Sequence, residues 1–215
     1  MALVPYQPQT TTAQQPTANL TDDQIIANAL GTQGKGASVK EAIERVNPNF
    51  STMQHEWTHN CQRCVWAAEM QRRGYDVEAM PRTKDDSYAK ADTSYANSFL
   101  NVAEGGIDLH VVQSPFNKES AADFKAHFTD KYDVGARGMI VAYGKGGHVF
   151  NWEVEKYKGG KRVRFYDTQP NGTRKGLDNR SVTSMQKRWN IFFEGRMDNV
   201  KVTPLIKDFV KRRGT

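Results

Sequence analysis

The sequence predicts an α+β domain, with helices in its first half and an antiparallel β meander in its second. Three observations predict it. Capped, helix-period segments lie between residues 21 and 73; three β-rich runs separated by glycine turns follow from residue 138, as in an antiparallel meander; and helices first with such a sheet second is the order of an α+β domain.

The elements follow in chain order. Residues 1–19 hold no Asp, Glu, Lys or Arg and are dominated by Gln, Thr, Pro and Ala, a composition with too little apolar surface to offset its ordering entropy. They read as a flexible tail that can be deleted at little cost. Thr21 is placed to cap a helix over "DDQIIANAL", with Gly31 after its end. "GTQGKGA" reads as a hinge, and Ser38 with Glu41 forms a capping box for "SVKEAIERVNP", which Pro48 stops. Residues 20–46 are thus short helices and a hinge ahead of a main domain over 47–215.

The next helix runs from Cys61 to Arg73, with Asn60 as N-cap and Gly74 following it. Residues 61, 64, 65, 68 and 72 share one face. "YDVEAMP" reads as a strand, residues 82–98 as a polar loop, "IDLHVVQ" as a strand and "ESAADFKAHFTDKY" as a helix. "GMIVAY", "HVFNWEVE" and "KRVRFYD" form the meander. A polar loop from Thr168 leads to a short helix at "VTSMQKR", a strand at "NIFFEGRMD" and a last helix starting at Pro204.

With 38% hydrophobic and 25% charged residues in 215, the composition is that of a soluble globular chain, and no apolar run reaches the ~20 residues of a membrane span. The start has neither a basic n-region nor an apolar h-region, so no signal peptide is expected. The net charge is +6, but the basic residues are scattered, the densest run being "KDFVKRR", and no nucleic-acid motif accompanies them. Nucleic acid is not the expected partner.

The chemistry concentrates in "HEWTHNCQRCVWAAEM". His55, His59, Cys61 and Cys64 are the residue types of a zinc site, yet they crowd into ten residues with His59 only two before Cys61, so no metal is expected. A redox pair lacks its βαβ context. Cys64 lies in the helix body, where a cysteine serves as a small buried hydrophobe. Cys61 differs. At the first helical turn it meets unpaired N–H groups and the positive end of the dipole, which lower a thiol pKa and stabilise an oxyanion. It is therefore expected to be reactive and open to reagent.

A cysteine nucleophile needs a base and the base needs an orienting group. His148 opens a strand after a glycine pair, and Asp167 and Gln169 close the next one. If the turn centres on Lys158 and Gly159, His148 lies opposite Gln169, with Asp167 its diagonal neighbour on the same face. A slip of one residue would send Asp167 to the other face. Gln169 and Asn60 are candidate accessory groups, Gln169 near the oxyanion.

"NCQRCVWAAEMQRRGYDVEA", "GGHVFNWEV" and "VRFYDTQPNG" together resemble the papain-fold toxin family, whose glutamine deamidase-type domains occur in polymorphic toxins and phage head-associated proteins. The resemblance spans residues 47–202. It implies a papain-like cysteine hydrolase fold and a triad mapping onto Cys61, His148 and Asp167, with no cofactor. Cys64 is the alternative nucleophile, since the resemblance does not by itself choose between the two. It further implies a target protein as substrate, a cognate immunity protein, and action in a target cell's cytoplasm or carriage in a virion. A cysteine protease, or a virion protein with an inactive triad, are the rival expectations.

Overall fold

The computed structural model describes residues 20–83, 98–117, 119–144, 146–170 and 182–215. The expected tail over 1–19, most of the loop over 82–98 and most of the polar loop before Val182 lie outside the described residues. Among the described residues no helix is long and apolar enough to cross a membrane.

Two capped helices open the fold. Helix α1 (Asp22–Leu30) has Thr21 and Gln24 in a reciprocal capping box, and α2 (Val39–Arg45) has the predicted Ser38–Glu41 box. The stretch between them is tied down: Gly34 N–H donates to the Gly74 carbonyl at 2.7 Å and Ala37 N–H to Gln71 at 2.9 Å. A one-turn α3 (His55–Thr58) then leads into α4 (Cys61–Arg72).

Helix α4 is the axis of the molecule. Ten of its twelve residues are buried, including Arg63, Glu69 and Gln71, so it is enclosed on all sides rather than on the single expected face. A helix can bury charge only when each charge is paired. Glu69 meets Arg73 at 2.8 Å and Arg137 at 3.0 Å, and Arg63 donates to the Asp208 carbonyl at 2.5 Å. Trp66 is fully buried and donates its Nε1 to the Phe99 carbonyl at 2.7 Å.

Among the described residues seven strands follow: β1 (Val77–Ala79), β2 (His110–Gln113), β3 (Arg137–Gly144), β4 (Gly146–Tyr157), β5 (Gly160–Tyr166), β6 (Trp189–Arg196) and β7 (Val210–Arg212). Five make an antiparallel sheet in the order β2-β6-β3-β4-β5. Helix α5 (Ala121–Lys131) lies between β2 and β3, and α6 (Val182–Arg188) leads into β6. The sheet separates two cores. Met139, Val141 and Val149 pack with α4, while Ile140, Phe150, Trp152, Phe165 and Phe192 pack with Phe124 and Phe128 of α5. Successive residues of one strand serve opposite cores, as a period of two requires.

The β4–β5 hairpin has the register expected from its turn. Asn151 pairs Tyr166 and Tyr157 pairs Gly160, with Lys158 and Gly159 both at positive φ. A two-residue loop of that kind matches the twist of the flanking strands.

The C-terminus departs from expectation. Pro204–Asp208 makes only a 3-10 turn, and the chain then extends as β7 against β1, Val77 opposite Arg212 and Ala79 opposite Val210. Strand β1 needs a backbone partner, and "FVKRR" supplies it, with Phe209 and Val210 buried.

Candidate active site

Cys61 is the first residue of α4, as predicted, but Asn60 does not cap the helix with its side chain. That amide is used elsewhere. Its Nδ2 donates to the Met80 carbonyl at 3.1 Å and to Asn47 Oδ1 at 3.3 Å, and its Oδ1 accepts from Asn47 at 3.1 Å. The same Oδ1 accepts the Cys64 thiol at 3.3 Å. Asn60 therefore braces the site from within, and the side-chain cap expected of it is withdrawn.

The two cysteines now separate. Cys64 is 1% exposed, its thiol is a hydrogen-bond donor, and burial, with the neighbouring Cys61 and Asp167, raises its pKa well above the ordinary thiol value. It is held as a neutral thiol. Cys61 is hydrogen-bonded to the His148 side chain. It is 5% exposed, less open than the sequence suggested.

His148 enters from the start of β4. Its Nε2 lies 2.7 Å from Asp167 Oδ2, which leaves Nδ1 as the ring nitrogen for Cys61. The ring is 14% exposed and stacks on Trp189 at 5.5 Å and 13°, with Phe150 at 5.9 Å and 28°. Asp167, just past β5, is buried, and its Oδ1 accepts the Gln169 N–H at 3.1 Å, so both carboxylate oxygens are engaged. Cys61, His148 and Asp167 are thus brought together in the order the sequence suggested.

Burial works against a charged imidazole. Asp167, and then Cys61, outweigh it, and the His148 pKa is pushed up to about 10. The ring therefore holds its proton at neutral pH. A raised folded-state pKa adds stability that is complete below the ordinary value near 6.5 and is lost as pH rises through about 10. The melting temperature of the wild type is expected to fall more steeply than that of His148→Gln between pH 7 and 10. Parallel profiles in a thermal-shift titration would refute the linkage.

Gln169 does not sit as an oxyanion donor. Its Nε2 donates to the Thr58 carbonyl at 3.0 Å, and its own carbonyl accepts from Asn47 at 2.8 Å. A strand-facing argument places the residue but does not say which nearby carbonyl takes its protons. His55 and His59 stack on each other at 4.1 Å, and His59 Nδ1 meets Thr58 Oγ1 at 2.9 Å. Among the described residues, no three His, Cys, Asp or Glu side chains gather as a metal site.

Two residues escaped the sequence. Asn47, fully buried, donates Nδ2 to the carbonyls of Trp57 at 2.9 Å and Gln169 at 2.8 Å, as well as to Asn60. It ties the chain before Cys61 to the loop that carries Asp167. In the sequence it reads only as the residue before Pro48. Trp189 forms the wall behind His148, and only an aromatic at the mouth of a predicted strand hinted at it. Thr168 and Asn151 add the last ties, donating to the α4 carbonyls of Cys64 at 3.3 Å and Val65 at 3.2 Å. Compared with protein-family models, curated proteins and solved structures, the chain matches none, and the site's own geometry carries the functional argument.

Proposed function

We infer that the chain is a cysteine hydrolase of carboxamides, best read as a protein glutamine deamidase on a papain-like fold. The observation that carries this is the run of hydrogen bonds from Cys61 through His148 to Asp167. A nucleophile at the start of a central helix, with its base and orienting acid on an antiparallel sheet between two cores, supports the papain-like reading.

The mechanism follows from the charges. With His148 protonated and Cys61 as its partner, the resting pair is thiolate and imidazolium. The thiolate attacks the carboxamide carbon, and its π electrons move to oxygen. The oxyanion donor in this reading is the N–H of Cys61, at the first turn of α4. The intermediate collapses, His148 gives its proton to the departing nitrogen, and ammonia leaves. A water then loses its proton to His148, attacks the thioester and releases a carboxylate, which restores the thiolate. Asp167 holds the ring tautomer and stabilises its charged form throughout. The balance is amide plus water to carboxylate plus ammonium.

Incubation of the protein with a cell lysate tests this. The expected result is ammonia release, with the mass gain of an amide-to-acid conversion at glutamine and no chain cleavage. Peptide-bond cleavage dependent on Cys61 would make the protein a protease on the same triad. Neither reaction, under conditions where the chain is folded, would overturn the hydrolase reading.

A further inference from the structure

Beside His148 lies a cavity of about 510 Å³, lined by Tyr143 and Gly144 of β3, Gln186, Lys187 and Arg188 of α6, and Trp189, Asn190 and Ile191 of β6. Lys187 and Arg188 bring two positive charges, and among the described residues no carboxylate lines it. Two cavities elsewhere mix signs: one pairs Lys35, Arg45 and Arg213 with Glu41 and Asp76, and another sets Asp23 beside Arg73 and Lys201. Trp189 is shared between cavity and site. Its ring stacks on His148, and the Arg188 guanidinium lies 5.1 Å from its centroid.

The wall is also fixed relative to the catalytic ring. Ala142 pairs His148, and two residues on Gly144 pairs Trp189. A Cβ on Gly144 would come within 2.8 Å of Trp189 Cα and 2.9 Å of the Arg188 carbonyl, so only glycine lets the β3 tip press against the α6–β6 junction. The cationic cavity thus stands at a set offset from the reacting centre, one indole away.

We propose that this cavity is the docking site for an acidic segment of the target protein, flanking the glutamine that Cys61 attacks. The assignment rests on the deamidase reading for the word glutamine, and on the cavity alone for the word acidic. The His148 and Trp189 ring centroids lie only 5.5 Å apart, so the acidic side chains fall close in sequence to the reacting residue. Tyr143 and Asn190 add polar groups to the rim, and the surplus of positive charge on the chain favours the same partner during approach.

The test is binding, measured on the full chain carrying Cys61→Ala, at low salt. Three labelled peptides share a central glutamine and differ only in flanks of Glu, Ala or Lys. The Glu-flanked peptide is expected to bind about tenfold more tightly than the Lys-flanked one, and Lys187→Glu with Arg188→Glu to erase or invert that order. Lys187→Glu alone, at a side chain that packs on no ring, should move the order the same way, and it keeps the test alive if the double variant fails to fold. Lys125→Glu, an exposed change of equal charge on α5, should leave the order intact. Equal binding of the three peptides overturns the proposal. So does a preference that survives the Lys187 reversal, or a single-stranded oligonucleotide that displaces the Glu peptide at equal charge. Ammonia release by the wild type is scored separately. Tight, charge-selective binding without ammonia leaves the docking site standing and removes the deamidase; deamidation of all three peptides alike does the opposite.

Discussion

Cys61→Ala and His148→Ala are each expected to lower turnover by at least about a thousandfold, and the double variant to be no worse than either. Non-additivity is the diagnostic part, because two groups that act as one unit are lost together with the first substitution. Cys61→Ser should fail equally, since a hydroxyl at that place offers no comparable anion beside His148. Iodoacetamide at neutral pH is expected to alkylate Cys61 at least about tenfold faster than Cys64, and His148→Ala to shrink the ratio. The expected rate is slower than that of an open thiol, because Cys61 is largely covered. Cys64→Ser should instead cost about 1 kcal/mol of stability and leave the reaction in place. Its thiol is a donor to Asn60 in a closed site, a role a hydroxyl can take over. Preferential labelling of Cys64, with turnover surviving Cys61→Ser, would move the nucleophile three residues along α4.

Much of this site was legible because short-range rules govern it. Both capping boxes, the start of α4 and the turn at Lys158 and Gly159 are set by a few neighbouring residues, and that turn alone fixed the register bringing Asp167 to His148. What escaped was set by partners distant in sequence. The side chain of Asn60 was free to cap α4 by local rules, but Asn47 and Met80 offered it buried partners instead. Gln169 was placed near the site correctly and pointed wrongly, because the Thr58 carbonyl lies within reach of its amide. The segment after Pro204 has a helix-start signal, yet β1, more than a hundred residues earlier, needed a strand beside it. The all-round burial of α4 was hidden for the same reason. Its charges look like a solvent face until Arg137 and the Asp208 carbonyl are brought to them.

Asn47→Ala carries the largest expected loss of stability, about 3 kcal/mol, or roughly 10 °C in melting temperature for a chain of this size. The substitution removes one small amide, but it strands several groups. The Gln169 and Trp57 carbonyls lose a donor, and the Asn60 amide loses a partner at both of its ends. Each buried polar group left unsatisfied costs about 1–3 kcal/mol, and local relaxation recovers part of the sum. Asn47→Asp sharpens the test, since it keeps the shape and reverses the chemistry. An ionised carboxyl there faces three acceptors and has no proton to give. Its folded-state pKa must therefore rise above the ordinary carboxyl value, so the deficit against wild type should be deepest at neutral pH and shrink as pH falls. A deficit that does not change with pH, or an Ala variant as stable as wild type, would show that Asn47 does not tie the two stretches together. Turnover should fall in both variants as well, because the Asn47 amide is a direct link between the chain entering the Cys61 helix and the loop that aims Asp167 at His148.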